Sequence, residues 1–207
     1  ARRMEPHQDT FNTNDVAAEA LSFIEREASF RQVELVREFE ADLPMIKSDR
    51  AQLQQVFLNL LNNALDAVAE GGRITVASRA DHDVLEVSIK DNGAGIDKDI
   101  QDRIFDPFFT TKPVGVGTGL GLSTVLGIVK RFEGAATVDS TVGVGTTFRL
   151  SFPHAERVAR SPVGDRGPTP AAQGAVLVVD DDPGVLRILC RFLEDAGYTV
   201  FSAASVT

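Results

Sequence analysis

The chain is 207 residues long, 43% hydrophobic and 25% charged, which gives room for one ordinary globular domain and part of a second. Its net charge of −9 argues against a broad nucleic-acid surface, which needs clustered Lys and Arg, but is compatible with a small anion held by a few local donors. No apolar run approaches the roughly 20 residues of a membrane-spanning helix, no signal peptide is recognised, and the single cysteine, Cys190, excludes an internal disulfide framework and fits a reducing cytoplasm.

Taken in chain order, "NTND" offers helix caps ahead of the periodic "VAAEALSFIEREAS". Residues 33–40 alternate as a half-buried strand does. Ser48 and Asp49, with Gln52 three residues after Asp49, cap a long helix predicted to run to about Val68 and to stop at Gly71 and Gly72. "RITVASR" and "VLEVSIKD" are two alternating strands that suggest a hairpin. A short helix is predicted near residues 98–103, then a glycine-rich stretch, a helix over about 120–132, and strands near "AATVDS" and "GTTFRLSF". The expected fold class is a two-layer α/β sandwich with a mixed sheet. Residues 154–174, rich in Pro, Gly, Ala and charge, read as a linker, and residues 175–207 as strand, acidic turn, helix and strand. The expected organisation is a connector over 1–12, a domain over 13–153, the linker, and a partial domain over 175–207.

The helix "QLQQVFLNLLNNALDAV" carries an unusual polar stripe. At about 100° per residue, Leu53, Val56, Phe57, Leu60, Leu61, Ala64, Leu65 and Val68 share the core face. Gln55, Asn59, Asn62, Asn63 and Asp66 lie opposite. A solvated face usually carries Lys, Glu and Arg, which form helices more readily than Asn. Amide oxygens are hard ligands for Mg²⁺ and amide NH₂ groups donate to phosphate, although a merely polar face fits the composition equally well.

Two glycine loops follow. "DNGAGI" places Asp91 at a strand end, where Gly93 and Gly95 permit a sharp turn. A carboxylate pinned there can accept a hydrogen bond from an exocyclic amine, which adenine offers and guanine does not offer in the same place. In "DPFFTTKPVGVGTGLGLST", glycines alternate at Gly115, Gly117, Gly119 and Gly121. The stretch lacks the Gly-Lys-Ser/Thr ending of a P-loop and the G-x-G-x-x-G spacing of a dinucleotide fingerprint. It feeds directly into an amphipathic helix whose N-terminus offers free N–H groups to phosphate, which a linker would not do.

"QVFLNLLNNALDA", "DNGAGI", "FDPFFTTK", "GTGLGLS" and "GTTF", in that order, resemble the N, G1, F, G2 and G3 boxes of sensor histidine kinases, over about residues 11–153. The resemblance implies a Bergerat-type fold that binds ATP and Mg²⁺. It implies that Asn63 coordinates Mg²⁺ and that Asn59 supports phosphates and metal, with Asn62 and Asp66 beside them. Asp91 would bind the adenine amine in a pocket shaped by Gly93, Gly95 and Ile96. Phe105, Phe108, Thr110, Thr111 and Lys112 would form the F box and the start of an ATP lid. Gly117, Thr118 and Gly119 would wrap the phosphates, Leu120, Gly121 and Leu122 would begin the following helix, and Thr146 would close the adenine side. The Lys or Arg that other members often carry near the position of Asp66 is missing here.

Residues 175–207 resemble the start of a response-regulator receiver domain, with Asp180 and Asp181 in its acidic Mg²⁺-binding cluster and the phosphate-accepting aspartate beyond Thr207. The phosphorylated histidine of the family sits in a helical hairpin ahead of the ATP domain. His7, His82 and His154 lack that setting, so the chain reads as a fragment whose histidine lies elsewhere. The implied reaction is transfer of the ATP γ-phosphate to a histidine on a dimerisation domain, then to an aspartate of a receiver domain or response regulator, in the cytoplasm, without nucleic acid or direct membrane contact. ATP hydrolases of the same fold, such as gyrase, carry a Glu general base four residues before the metal-binding Asn. Here that position is Asn59, which has no acid–base capacity near neutral pH. A nucleotide-sensing or docking module without transfer activity is the non-enzymatic alternative.

Overall fold

The computed structural model describes residues 9–81, 84–113, 117–153, 175–179, 190 and 198–203. The chain divides into two units, Ala1–Glu156 and Arg157–Thr207.

In the larger unit, β1 (Asp9–Asn12) leads into α1 (Thr13–Phe30), followed by β2 (Glu34–Phe39), β3 (Met45–Ser48) and α2 (Arg50–Ala67). Then come β4 (Arg73–Asp81), β5 (Val84–Asp91), α3 (Lys98–Gln101), α4 (Gly121–Arg131), β6 (Ala135–Thr141) and β7 (Gly145–Pro153). Five strands form a mixed sheet in the order β2-β4-β5-β7-β6. The β2–β4 pair is parallel and the others are antiparallel. Ile74 and Val76 of β4, Leu85, Val87 and Ile89 of β5, and Phe148, Leu150 and Phe152 of β7 are buried on one face, as period-2 alternation requires. The helices cover that face, with α2 central and packed on both α1 and α4. The expected two-layer α/β sandwich with a mixed sheet is therefore the fold observed.

Helix α2 is built as its sequence predicts. All eight residues assigned to its core face are buried. The Asp49 side chain accepts from the Gln52 backbone N–H at 3.1 Å, and Gln52 Nε2 donates back to Asp49 Oδ2 at 2.7 Å. Asp49→Ala is accordingly expected to lower stability by about 1 kcal/mol, read as an earlier midpoint in urea denaturation with an unchanged slope.

Two local expectations need adjustment, and one pair of strands was not expected. Strands β1 and β3, paired antiparallel with Phe11 opposite Ile46, are not marked by alternation and follow from burying those two side chains. Strand β2 does not alternate, because it is an edge strand with every residue exposed or half-buried. The predicted helix near 98–103 stops at Gln101 and continues as turns closed by Arg103 N–H to Ile100 O and Asp106 N–H to Arg103 O.

In the smaller unit, β8 (Ala175–Val179) pairs in parallel with β9 (Thr199–Ala203), from Ala175 opposite Thr199 to Val179 opposite Ala203. The predicted linker over 154–174, Asp180 and Asp181, and His7, His82 and His154 lie outside the described residues. Among the described residues no helix is long and apolar enough to cross a membrane.

Candidate nucleotide site

Asp91 ends the central strand β5, opposite Ile74 of β4 on one side and Thr146 of β7 on the other. It is 4% exposed. Its Oδ1 accepts from the backbone N–H of Gly93 at 2.8 Å and of Thr146 at 3.3 Å. Among the described residues Oδ2 accepts nothing. Burial raises the Asp91 pKa above its ordinary value, and the two backbone N–H groups offset only part of that. A buried carboxylate with one oxygen satisfied and one open is an acceptor for a donor group brought by a ligand.

The loop after Asp91 is pressed against the end of α2. A Cβ on Gly93 would lie 2.4 Å from Ala67 O and 2.9 Å from Asp91 Oδ1, so only hydrogen fits there. Ala94 N–H donates to Ala67 O at 3.0 Å, and Asn92 Oδ1 accepts from Arg73 N–H at 2.7 Å. On the far side, Ser140 Oγ accepts from Ile96 N–H at 2.8 Å and lies 2.9 Å from Thr146 Oγ1. Gln101 Nε2 donates to Ile96 O at 2.9 Å and to Ser140 O at 3.0 Å. Ile96 and Thr146 are thus joined through Ser140 beside Asp91, and Gly95 is pressed on the end of β6, where an added Cβ would lie 2.2 Å from Thr141 O.

Sequence reasoning missed Asn92, Gln101 and Ser140, which fix this wall. The one signal was the register across the β6–β7 turn, which sets Ser140 opposite Thr146.

The stripe of α2 divides. Asn59 and Asn63, one turn apart, are half-buried, whereas Asn62 and Asp66 are exposed. Asn59 Nδ2 donates to Gly121 O at 3.3 Å, tying α2 to the start of α4 and leaving Asn59 Oδ1 without a partner among the described residues. Leu120, the N-cap of α4, contributes no side-chain cap, so the first N–H groups of an 11-residue helix stay open to an anion.

The segment between α3 and α4 folds back on itself. The Phe105 ring meets Phe148 edge to face at 6.4 Å, and the Arg103 guanidinium lies 4.8 Å over the Phe109 ring. Phe108, 76% exposed, donates its N–H to Gly119 O at 2.9 Å. Lys112 N–H donates to Thr110 Oγ1 at 3.1 Å, and Leu120 N–H to Thr118 Oγ1 at 3.3 Å. The Lys112 ammonium pairs with Asp66 Oδ2 at 2.5 Å. Thr111 is exposed, Gly117 is half-buried, and Leu122 is half-buried against the core. Gly115 lies outside the described residues.

The donor set fits a magnesium nucleotide. Asp91 Oδ2 suits a base amine, the amide oxygens of Asn59 and Asn63 suit a hard cation, and the α4 N-terminus suits phosphate. Among the described residues no group of three or more His, Cys, Asp and Glu stands ready to hold a metal alone. The cation would have to be shared with phosphate and water.

Residues 48–156 match the histidine kinase-, DNA gyrase B- and HSP90-like ATPase family. The chain is 37% identical to sensor kinase CckA of Brucella abortus (strain 2308) over 231 aligned residues, 99% of this chain and 24% of that protein. It is 39% identical to the signal transduction histidine-protein kinase AtoS of Escherichia coli (strain K12) over 141 residues, 68% of this chain and 23% of that protein. The nucleotide-free catalytic domain of histidine kinase ThkA superposes with a TM-score of 0.66 at 29% identity, covering 72% of this chain and 96% of that one. The chain thus spans under a quarter of the length of these two curated relatives.

Proposed function

The chain belongs to the histidine kinase-, DNA gyrase B- and HSP90-like ATPase family, and on that premise we propose that it is part of a sensor histidine kinase, whose residues 13–153 bind Mg-ATP and present its γ-phosphate to a histidine of a dimerisation domain of the same protein. The observation that carries this reading is Asp91, a buried carboxylate with one oxygen held by Gly93 and Thr146 and the other open. That oxygen accepts the exocyclic amine of adenine, which guanine does not offer in the same place. Gly93, pressed on Ala67, lets the base lie close to the backbone.

Asn63 and Asn59, whose Oδ1 has no partner among the described residues, would hold the cation. Bound Mg²⁺ neutralises phosphate charge and orients the triphosphate. The N–H groups opening α4 and the lid residues Thr110, Thr111, Thr118 and Gly119 cradle the phosphates. Phosphoryl transfer asks mainly for positioning and charge neutralisation, so no acid–base residue is required of this chain beyond the acceptor histidine supplied to it. Asn59, which donates to Gly121 O, cannot activate water as a carboxylate would, which favours transfer over hydrolysis.

The parallel pairing of β8 with β9 supports reading residues 175–207 as the start of a receiver domain, with Asp180 and Asp181 in its Mg²⁺ cluster. An aspartate of such a domain, or of a separate response regulator, is the next phosphate acceptor, and the reaction belongs in the cytoplasm.

Calorimetric titration of ATP into this chain, with and without Mg²⁺, tests the reading. ATP is expected to bind only weakly without the metal, GTP not to compete, and Asn63→Ala to lose the Mg²⁺-dependent part, about tenfold or more. A folded chain that binds neither nucleotide would leave a docking module as the better reading.

A further inference from the structure

We infer that Asp66 and Lys112 form an exchange latch: Asp66 holds the lid lysine in the nucleotide-free protein and releases it to the phosphates when nucleotide enters. This rests on the ATP-binding reading above and concerns how that site sets its affinity.

Asp66 stands three residues beyond Asn63 on α2, one helical turn from the nearer of the two amides assigned to the cation. Lys112 comes from the other side of the site. It is held there by the turn that bonds its N–H to Thr110 Oγ1 and by the Phe108–Gly119 hydrogen bond that closes the loop onto the start of α4. The pair therefore spans 46 residues of sequence and clamps the phosphate-side loop to the helix that carries Asn59 and Asn63. Among the described residues it is the one ion pair that either side chain makes.

Two charges in this place cannot both serve an incoming triphosphate. A carboxylate one turn from the cation site repels the phosphates, and the lysine it engages is a cation that can offset that repulsion. Phosphate oxygens carry more charge than a carboxylate and outcompete it for an ammonium once the cation is in place. The side chains of Lys112 and Asp66 are 36% and 52% exposed, and an ion pair so open to water is weak. Weakness suits a partner that has to be given up. Asp66 is thus a positioning residue: it never touches the nucleotide, fixes where the lysine waits, and lowers the affinity by competing for it.

The test uses the whole chain and two readouts. Amide hydrogen exchange of residues 106–113 without nucleotide reports the latch itself. Asp66→Asn and Lys112→Met are each expected to accelerate it about two- to fivefold, and Asp66→Glu to restore the parent rate. Calorimetric titration reports the exchange. Asp66→Asn is expected to tighten ATP binding about two- to fivefold and Lys112→Met to weaken it about tenfold, with adenosine binding unmoved by either. Unchanged exchange in Asp66→Asn overturns the latch. An Asp66→Asn variant that loses ATP affinity as Lys112→Met does overturns it as well, because Asp66 would then be a ligand of the bound complex. Absence of ATP binding by the parent chain would remove the function reading, whereas parent binding that Asp66→Asn fails to tighten would remove only the latch.

Discussion

Asp91→Asn is expected to weaken ATP binding by at least about 100-fold while leaving the nucleotide-free protein as stable as the parent or more so. Asparagine has a single acceptor oxygen, and the backbone N–H groups of Gly93 and Thr146 claim it at the position of Oδ1. The amide NH₂ is then turned to the open side, donor facing donor, where the base amine would arrive. Losing a hydrogen bond to a charged acceptor and leaving the ligand's donor unpaired amounts to about 3 kcal/mol, hence the factor. Stability moves the other way, because the ionised carboxylate is held at a cost: burial raises its pKa above 3.8. The folded chain keeps this proton to a higher pH than the unfolded chain does. Its contribution to stability is therefore gained as pH falls through the raised folded value towards 3.8, and lost as pH rises through it. ATP affinity runs opposite, since protonation removes the acceptor. Calorimetric titration and urea denaturation across the acid range, on parent and variant, separate the two slopes. Both are expected to flatten in Asp91→Asn, and a variant markedly less stable than the parent would refute the assignment of burial as the dominant influence.

Gly145→Ala is expected to lower stability by about 3 kcal/mol or more, a large share of the 5–15 kcal/mol that holds a domain together. Gly145 opens β7 with φ at +131°, a region that side-chain-bearing residues avoid. A Cβ there would stand 2.0 Å from Asp91 O and 2.8 Å from Asn92 Cα. Relief would require β5 to move, and β5 is bonded on both sides, to β4 and to β7. The change would therefore displace Asp91 itself, and nucleotide affinity should fall along with stability. Gly127→Ala is the control. It lies exposed within α4 with nothing within 4 Å of an added Cβ, and should hold or slightly raise stability. Thermal unfolding of the two variants side by side checks the contrast.

What sequence reasoning reached, and where it stopped, follows from the range of the interactions. Helix α2 was legible because its core stripe and the Asp49–Gln52 cap are local. The β4–β5 hairpin and the glycine loop after Asp91 were legible because alternation and turn chemistry sit in neighbouring residues. The small β1–β3 pair was not, because it rests on Phe11 and Ile46 meeting across 35 residues, with no pattern in either strand. Within the site, Asp91 announced itself at a strand end, but its partner Thr146 depends on a β5–β7 register that no local signal specifies. The Asn59 and Asn62 amides looked equivalent on a helical wheel. Only the position of α4 half-buries the first, and the second stays in water. The Asp66–Lys112 pair was out of reach for the same reason, since nothing in either segment points to the other.

The carboxylate assigned to the base belongs to the middle strand of a sheet, whereas the residues assigned to the phosphates belong to a connecting loop and a helix end. The first cannot change without losing its hold on the base, and the strand beneath it, bonded on both sides, cannot shift without disturbing the fold, whereas the second can change freely. Descendants of such a domain can therefore drift in how tightly they hold a triphosphate and how fast they turn it over, while inheriting their preference among bases unaltered. Selection on signalling speed and selection on nucleotide identity then act on separate stretches of the same chain.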